Sequence, residues 1–385
     1  MKSHEYYKGR EQTYLKHFFL ERYLERVAYN IFSFQNEFVY VDGFSGPWKS
    51  NDEKFEDTSF VIAINELRKI KTGFAERGKN VRIRCMFIEK NSKTYSDLQH
   101  TTQSISDIEI KTVCGSFEDL IPEIVNFVGT SFSLVFINPT GWTGYGLKKI
   151  TPLLKLRGEV IINFMFDYIN RFISNPRPET AHDYDPLYGD SYWYDEYSDL
   201  VAHGASREDA VLGVYKQRVR AAGTFPHITS TRIKKPLHER AYFHLVYATR
   251  HWKGLVEFSE VERKAADEQE IVRDAAQLVK RENRTGMRDL LSDVGMPTEV
   301  ISKNFEDERK ANLEMAEEEL RNTLEGVLEI KYEKLLGIIL EIPLVWVSDF
   351  KAILMDLKNA DLIEFSGFTE RQRVPKPGNI IRWIA

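Results

Sequence analysis

The chain has 385 residues, enough for one large domain and a smaller one. An apolar fraction of 42% supplies a sizeable core, and a net charge of −5 argues against a basic surface over the whole molecule, though not against a local nucleic-acid patch. Only two cysteines occur, Cys85 and Cys114, which rules out a disulfide framework, and no His or carboxylate spacing marks a metal site.

The polar start, Met1-Lys-Ser-His-Glu5, lacks the apolar core of a signal peptide. Residues 11–30 then place Leu15, Phe18, Phe19, Tyr23, Leu24 and Val27 at helical spacing, which predicts an amphipathic helix. Phe38 to Asp42 reads as a buried strand ending in an acid, followed by a turn through Gly43 and Gly46. Two glycines let the backbone turn tightly and approach a ligand closely. Asp57-Thr-Ser59 offers cap residues for a helix through Phe60, Ile64, Leu67 and Ile70.

A second strand, Arg82 to Glu89, ends in another acid; a helix through Tyr95 and Leu98 follows it. The third strand, Ile108 to Val113, ends at Cys114-Gly-Ser-Phe117. A helix around Leu120 to Phe127 leads to a fourth, Phe132 to Asn138, which meets Pro139-Thr-Gly-Trp142. After a helix near Leu147 to Leu156 comes the strand Glu159 to Asn163. This alternation predicts a doubly wound, Rossmann-like α/β sheet that collects ligand groups at the C-terminal ends of its strands.

Residues 175–196, rich in Pro, Asp, Tyr and Gly, read as a long loop over the sheet edge. Helical patterning resumes at 207–221, and His238 to Arg250 gives another strand. The charged stretch 257–330 reads as helix broken at Gly295-Met-Pro297. Residues 331–385 follow the order helix, helix, strand, basic loop, strand, which suits a winged helix. The longest apolar window, Leu335 to Val347, is interrupted by Glu341 and Pro343 and is too short to span a bilayer. The expected domains are therefore 1–256, 257–330 and 331–385, in a soluble cytoplasmic protein.

The groups that finish successive strands converge on one crevice in such a sheet. Here they are Asp42, Glu89, Gly115-Ser116-Phe117, Asn138 and Asn163. Glu89 is placed to accept both hydroxyls of a ribose, and Ser116 and Phe117 to meet an adenine. Asp42 with Gly43, Phe44 and Gly46 is placed to meet the amino-acid end of S-adenosylmethionine. The dinucleotide fingerprint G-x-G-x-x-G is absent, as is a phosphate-binding G-x-x-x-x-G-K-[ST] loop. Asn170 and Arg171, beyond the fifth strand, are candidates for substrate contact or for a plain helix start. His17, His182, His227 and His238 show no partner spacing and read as structural.

Four segments, Asp-Gly-Phe-Ser-Gly-Pro (42–47), Phe-Ile-Glu (87–89), Phe-Ile-Asn-Pro-Thr-Gly-Trp (136–142) and the run from Asn163 to Phe172, resemble the three-Cys-motif partner protein family, TcmP. Lys16 with Tyr23-Leu24 and the stretch Tyr247 to Gly254 extend the resemblance over most of the chain. It implies a class I methyltransferase-like fold, S-adenosylmethionine as cofactor, and a companion protein carrying a three-cysteine motif. Two departures stand out. Trp48 replaces the last glycine of the family's D-x-F-A-G-P-G, with Asp57-Thr-Ser59 roughly where a G-S-P step would fall. The usual D-P-F-G strand end is Asn138-Pro-Thr-Gly141 here. An amide is no general base, but an Asn-Pro turn is what base-amino methyltransferases use to hold an exocyclic amine. Trp142 stands either as a base-stacking ring or as a buried anchor.

The expected reaction residues are thus Asn138, Asn163 and Arg171. In the tail, Lys351, Lys358, Arg371, Arg373, Lys376 and Arg382 are candidates to face phosphates of DNA or RNA. Two other readings stay open: a partner-dependent binding subunit without catalysis of its own, and a DNA-binding regulator whose tail does the work.

Overall fold

A computed structural model describes residues 1–46, 50, 52, 54–173, 182–285, 299–369 and 371–384. The chain divides into two compact units, Met1–Ile228 with Arg232–Arg250, and Thr229–Thr231 with His251–Ala385.

The first unit is built on a seven-stranded, mostly parallel sheet flanked by helices. Its chain order runs α1 (Glu11–Phe34), β1 (Glu37–Asp42), α2 (Ser59–Glu76), β2 (Arg82–Glu89), α3 (Ser92–Thr102) and β3 (Glu109–Cys114). It continues through α4 (Ile121–Val128), β4 (Ser133–Ile137), α5 (Leu147–Leu154), β5 (Gly158–Phe164) and α6 (Phe166–Ile173) to β6 (His227–Lys234) and β7 (Ala241–Thr249). The order across the sheet is β3-β2-β1-β4-β5-β7-β6. β1 pairs in parallel with β2 on one side and β4 on the other, whereas β7 runs antiparallel to β5. The strand order therefore reverses between β1 and β4, and it is beyond the C-terminal ends of such a pair that open α/β sheets bind their ligands.

The pleat of β1 explains why helices cover both faces. Val39 and Val41 join the core that includes Ile124, Ile150 and Leu153 of α4 and α5. Phe38 and Tyr40 point the other way, Phe38 toward Phe32 of α1 and Tyr40 toward Phe87, which also meets Phe60 of α2. A buried polar knot fixes α1 on this sheet. The Tyr23 hydroxyl lies 2.6 Å from Glu159 Oε2 and 2.6 Å from the Tyr247 hydroxyl, and Thr249 Oγ1 donates to Glu159 Oε1 at 3.0 Å.

Three expectations are corrected. Residues 182–202 are not a covering loop: they hold the helix Trp193–Ala202 and a short helix, Asp185–Tyr188. Tyr184, Tyr188, Trp193 and Tyr197 belong to the core, with Tyr188 stacked on Trp193 at 4.4 Å and Trp193 Nε1 donating to Asp185 Oδ1 at 2.9 Å. Residues 174–181 lie outside the described residues. Second, β6 is an additional strand, overlooked because its buried Thr229, Ser230 and Thr231 break the apolar signal. Third, Asp57-Thr-Ser59 makes no side-chain cap on α2. Thr58 Oγ1 turns to the Phe55 carbonyl, Asp57 takes Arg10 at 2.8 Å, and Ser59 turns to Asp42.

In the second unit the helices Trp252–Thr285 and Glu299–Val327 precede a three-stranded antiparallel sheet of order β8-β10-β9, with β8 at Glu329–Lys331, β9 at Ile363–Ser366 and β10 at Ile380–Trp383. The expected break at Gly295–Pro297 falls outside the described residues. Helices Tyr332–Ile339 and Val347–Asn359 pack between, and Trp346 is held between the guanidinium groups of Arg263 and Arg309. No helix among the described residues is long and apolar enough to cross a membrane.

Tyr23→Phe removes a donor from a buried carboxylate and is expected to lower stability by about 1–3 kcal/mol. Urea unfolding measures it, and an unchanged midpoint overturns the role given to this knot.

Candidate functional site

The C-terminal edge of the central strands assembles most of the residues that the sequence singled out. Asp42, the last residue of β1, is fully buried. Its Oδ1 accepts the Phe44 backbone N–H at 3.0 Å and its Oδ2 the Ser59 hydroxyl at 2.7 Å, while Ser45 Oγ donates to its carbonyl at 2.8 Å. Burial pushes the Asp42 carboxyl above its usual range; Ser59, the Phe44 N–H and the charge of Lys16 pull the other way. Both oxygens thus hold the turn and the start of α2.

Gly43 is required here by packing. A Cβ at this position would lie 2.6 Å from the Phe117 ring. Phe117 is buried and meets Phe44 at 5.2 Å in a tilted pair. Gly46 is half-buried; Pro47, Trp48 and Lys49 lie outside the described residues. Glu89 closes β2, is buried, and accepts the Asn91 N–H at 2.6 Å. Ser116, half-buried, starts the turn after β3, its carbonyl accepting from Asp119 at 3.1 Å and Leu120 at 3.2 Å.

At the point where the strand order reverses, three side chains meet. Asn138, just past β4, presents Oδ1 to Lys16 Nζ at 2.9 Å and to Asn163 Nδ2 at 3.0 Å. Asn163, on β5, is buried, and its own Oδ1 has no hydrogen-bond partner among the described residues. A buried acceptor left without a donor costs about 1–3 kcal/mol, so it marks a place where a donor is wanted. Burial lowers the Lys16 ammonium to about 8, opposed by the charge of Asp42. Beside it, His17 is held neutral: burial first, then Lys16 and Arg10, push it well below its ordinary value.

Lys16 entered the sequence reading only through the family resemblance. The signal was available: it sits between Leu15 and His17 in a helix nearly all of whose neighbouring positions are buried. Arg171 does not join the asparagines. It donates to Asp167 at 2.7 Å, with Lys235 at 2.8 Å and Arg240 on the same carboxylate. Burial raises Asp167, but these cations outweigh it and hold the carboxyl low. Trp142 is half-buried against Tyr184, ring to ring at 4.6 Å. Among the described residues no group of three or more His, Cys, Asp or Glu is arranged to hold a metal ion.

In the tail, Arg371, Arg373 and Lys376 lie exposed on the loop between β9 and β10. Asn379 shapes that loop, donating to the Gly367 carbonyl at 2.8 Å and accepting the Lys376 N–H at 2.8 Å. Lys358 is exposed with its ammonium over the Phe365 ring, and Lys351 is half-buried. Arg382 is committed to Glu364 at 2.6 Å and Glu329 at 3.0 Å, which answers its charge within the sheet.

Gly43→Ala drives a methyl into Phe117 and is expected to cost about 1–3 kcal/mol of unfolding free energy. Phe117→Leu in the same chain should recover part of it. Urea titration of the two variants decides, and additive losses would mean that the two residues do not press on each other.

No protein-family model matches the chain, and no curated protein matches it. Among solved structures, the crystal structure of protein LPL1258 from Legionella pneumophila str. Philadelphia 1, of the family model DUF519, is similar at 10% identity and a TM-score of 0.35. That match covers 60% of this chain and 84% of the other, a likeness too distant to bear on the site.

Proposed function

We propose that the chain is an S-adenosylmethionine-dependent transferase of the class I methyltransferase-like fold, acting on nucleic acid or a nucleic-acid-linked substrate together with a three-cysteine-motif partner. The observation that carries this reading is the meeting of Lys16, Asn138 and Asn163 where the strand order reverses, with acids closing β1 and β2 along the same edge. The strand order, with antiparallel β7 beside β5, is consistent with that fold.

The residues fit the cofactor. The acid at the end of β2 and the half-buried Ser116 suit a ribose and a base, and Asn163 Oδ1, a buried acceptor in want of a donor, is left for the acceptor substrate. When bound, S-adenosylmethionine supplies a methyl group on a sulfonium, whose transfer needs chiefly alignment. Glu89 and the Ser116–Phe117 turn would hold its nucleoside. Asp42 would act on it through the loop, since Ser59 and Phe44 already take its oxygens. Asn138 and Asn163 would orient the acceptor. The winged-helix-like tail would supply phosphate contacts through Arg371, Arg373 and Lys376.

A second reading, a binding subunit that is active only with its companion, is favoured by one observation. Asn138 Oδ1, the atom expected to receive an acceptor amine, is already taken by Lys16 and Asn163. Turnover that appears only when the companion is added would select it.

Titration calorimetry with adenosylhomocysteine is expected to show one site, weakened at least about tenfold by Glu89→Ala. Absence of heat at saturating ligand would falsify the cofactor reading. For the tail, replacing Arg371, Arg373 and Lys376 together by Ala should weaken duplex binding alike on all sequences. It should also flatten the dependence of log K on log salt by up to about 0.9 per lost phosphate contact. An unchanged slope in filter binding removes the wing from the interface.

A further inference from the structure

Lys16 reaches Asn138 from outside the sheet, and it does so from a helix that is otherwise packed down by apolar groups. A lysine that serves only to pin a helix needs no second amide. Here Asn163 donates to the same Oδ1 at 3.0 Å, which fixes the Asn138 amide with its oxygen turned to the ammonium. The groups facing Lys16 are few. Asp42 on β1 is the opposing charge, and its own oxygens are engaged by Ser59 and Phe44. On the helix side His17 is neutral, and Arg10 is bound to Asp57 at 2.8 Å. Nothing in this set neutralises Lys16 in a close ion pair, so its proton is loosely held.

Resting on the transferase reading, we propose that Lys16 is a catalytic residue that enters the loaded state as a neutral amine and takes the proton released by the acceptor. In that step the acceptor nitrogen or oxygen forms its bond to the transferred carbon. The carbon–sulfur bond breaks, and its electron pair stays on sulfur. The proton of the acceptor passes to the Lys16 amine, which becomes an ammonium held by Asn138 Oδ1. The inference narrows the substrate class to acceptors with an N–H or O–H at the reacting atom, such as an exocyclic amine or a hydroxyl. Acceptors whose reacting atom carries no proton have no use for such a group.

The test is a binding measurement on the full chain and needs no acceptor. Adenosylmethionine carries a positive sulfonium and adenosylhomocysteine a neutral sulfide, so the former presents one positive charge more for a charged Lys16 to repel. With the free ammonium titrating near 8, binding that demands the neutral amine is weakened about tenfold at pH 7 relative to pH 9. The ratio of the two dissociation constants, adenosylmethionine over adenosylhomocysteine, should therefore fall about tenfold from pH 7 to pH 9 beyond any change seen in Lys16→Met. The ligands' own amino groups titrate alike against both proteins and cancel in that comparison. Lys16→Arg, charged throughout, should hold the ratio at its high value at both pH values. If wild type and Lys16→Met give the same pH profile while both ligands bind, Lys16 is a helix pin and the inference is wrong. If neither ligand binds wild type, the transferase reading itself falls and takes this inference with it.

Discussion

The buried carboxylate of Asp42 is the constraint on which the rest of the site depends. A charge with no exposure is costly unless donors converge on it, and its donors come from the turn that follows β1 and from the first residue of α2. One carboxylate thereby sets the path of the chain from strand to helix. That path brings Phe44 against Phe117, which in turn leaves no room for a side chain at residue 43. The loop is shaped from within, by its acid and its ring pair. Lys16 feels the same carboxylate from above, so the electrostatics of the N-terminal helix and of the sheet are one problem.

Helix α1 is fixed at two points seven residues apart. Lys16 and Tyr23 lie two turns from each other, about 10 Å along the axis, and so present to the same side. Tyr23 meets Glu159 near the start of β5, and Lys16 meets Asn138 just past the end of β4. The helix therefore runs from the ligand edge of the sheet toward the opposite edge. Its apolar face carries the packing, and these two polar contacts set its position along the strands. A shift of one turn would break both, which is how a helix outside the sheet can deliver an ammonium to a defined place.

The central parallel strands β1, β4 and β5 were legible because strands buried on both faces read as nearly unbroken apolar runs, whereas the edge strand β3 has no buried position. Residues 82–89 agree with β2 residue for residue, and β1, β3, β4 and β5 agree to within a residue or two. What escaped was structure whose buried surface is polar or aromatic. Thr229, Ser230 and Thr231 look like a loop in sequence, and the Tyr- and Asp-rich stretch after residue 181 looks like one too, yet both are ordered by partners distant in sequence. Tyr188 meets Tyr215, 27 residues on, a contact that no local pattern contains. Within the site, the residue types at the strand ends were readable, whereas their pairings were not. Ser59, read as a cap, serves Asp42; Arg171, read as a substrate contact or a plain helix start, is paired with Asp167.

Two sets of cations in this chain differ in what they can do. Arg171, Lys235 and Arg240 converge on a buried carboxylate at the start of α6, each held there by Asp167. Charges held against a buried partner are screened little by salt, so this cluster acts as a fastening between α6 and the residues around β7. Arg371, Arg373 and Lys376 stand exposed on a loop whose shape is set by Asn379 and not by their own charges. Such side chains are free to release counterions on meeting a polyanion, and their contribution falls steeply as salt rises. Arg382, two residues into β10 and bound by two carboxylates, belongs with the first kind although it is half exposed. Exposure alone does not make a basic residue a phosphate contact; what decides is whether a carboxylate of its own chain has already claimed it.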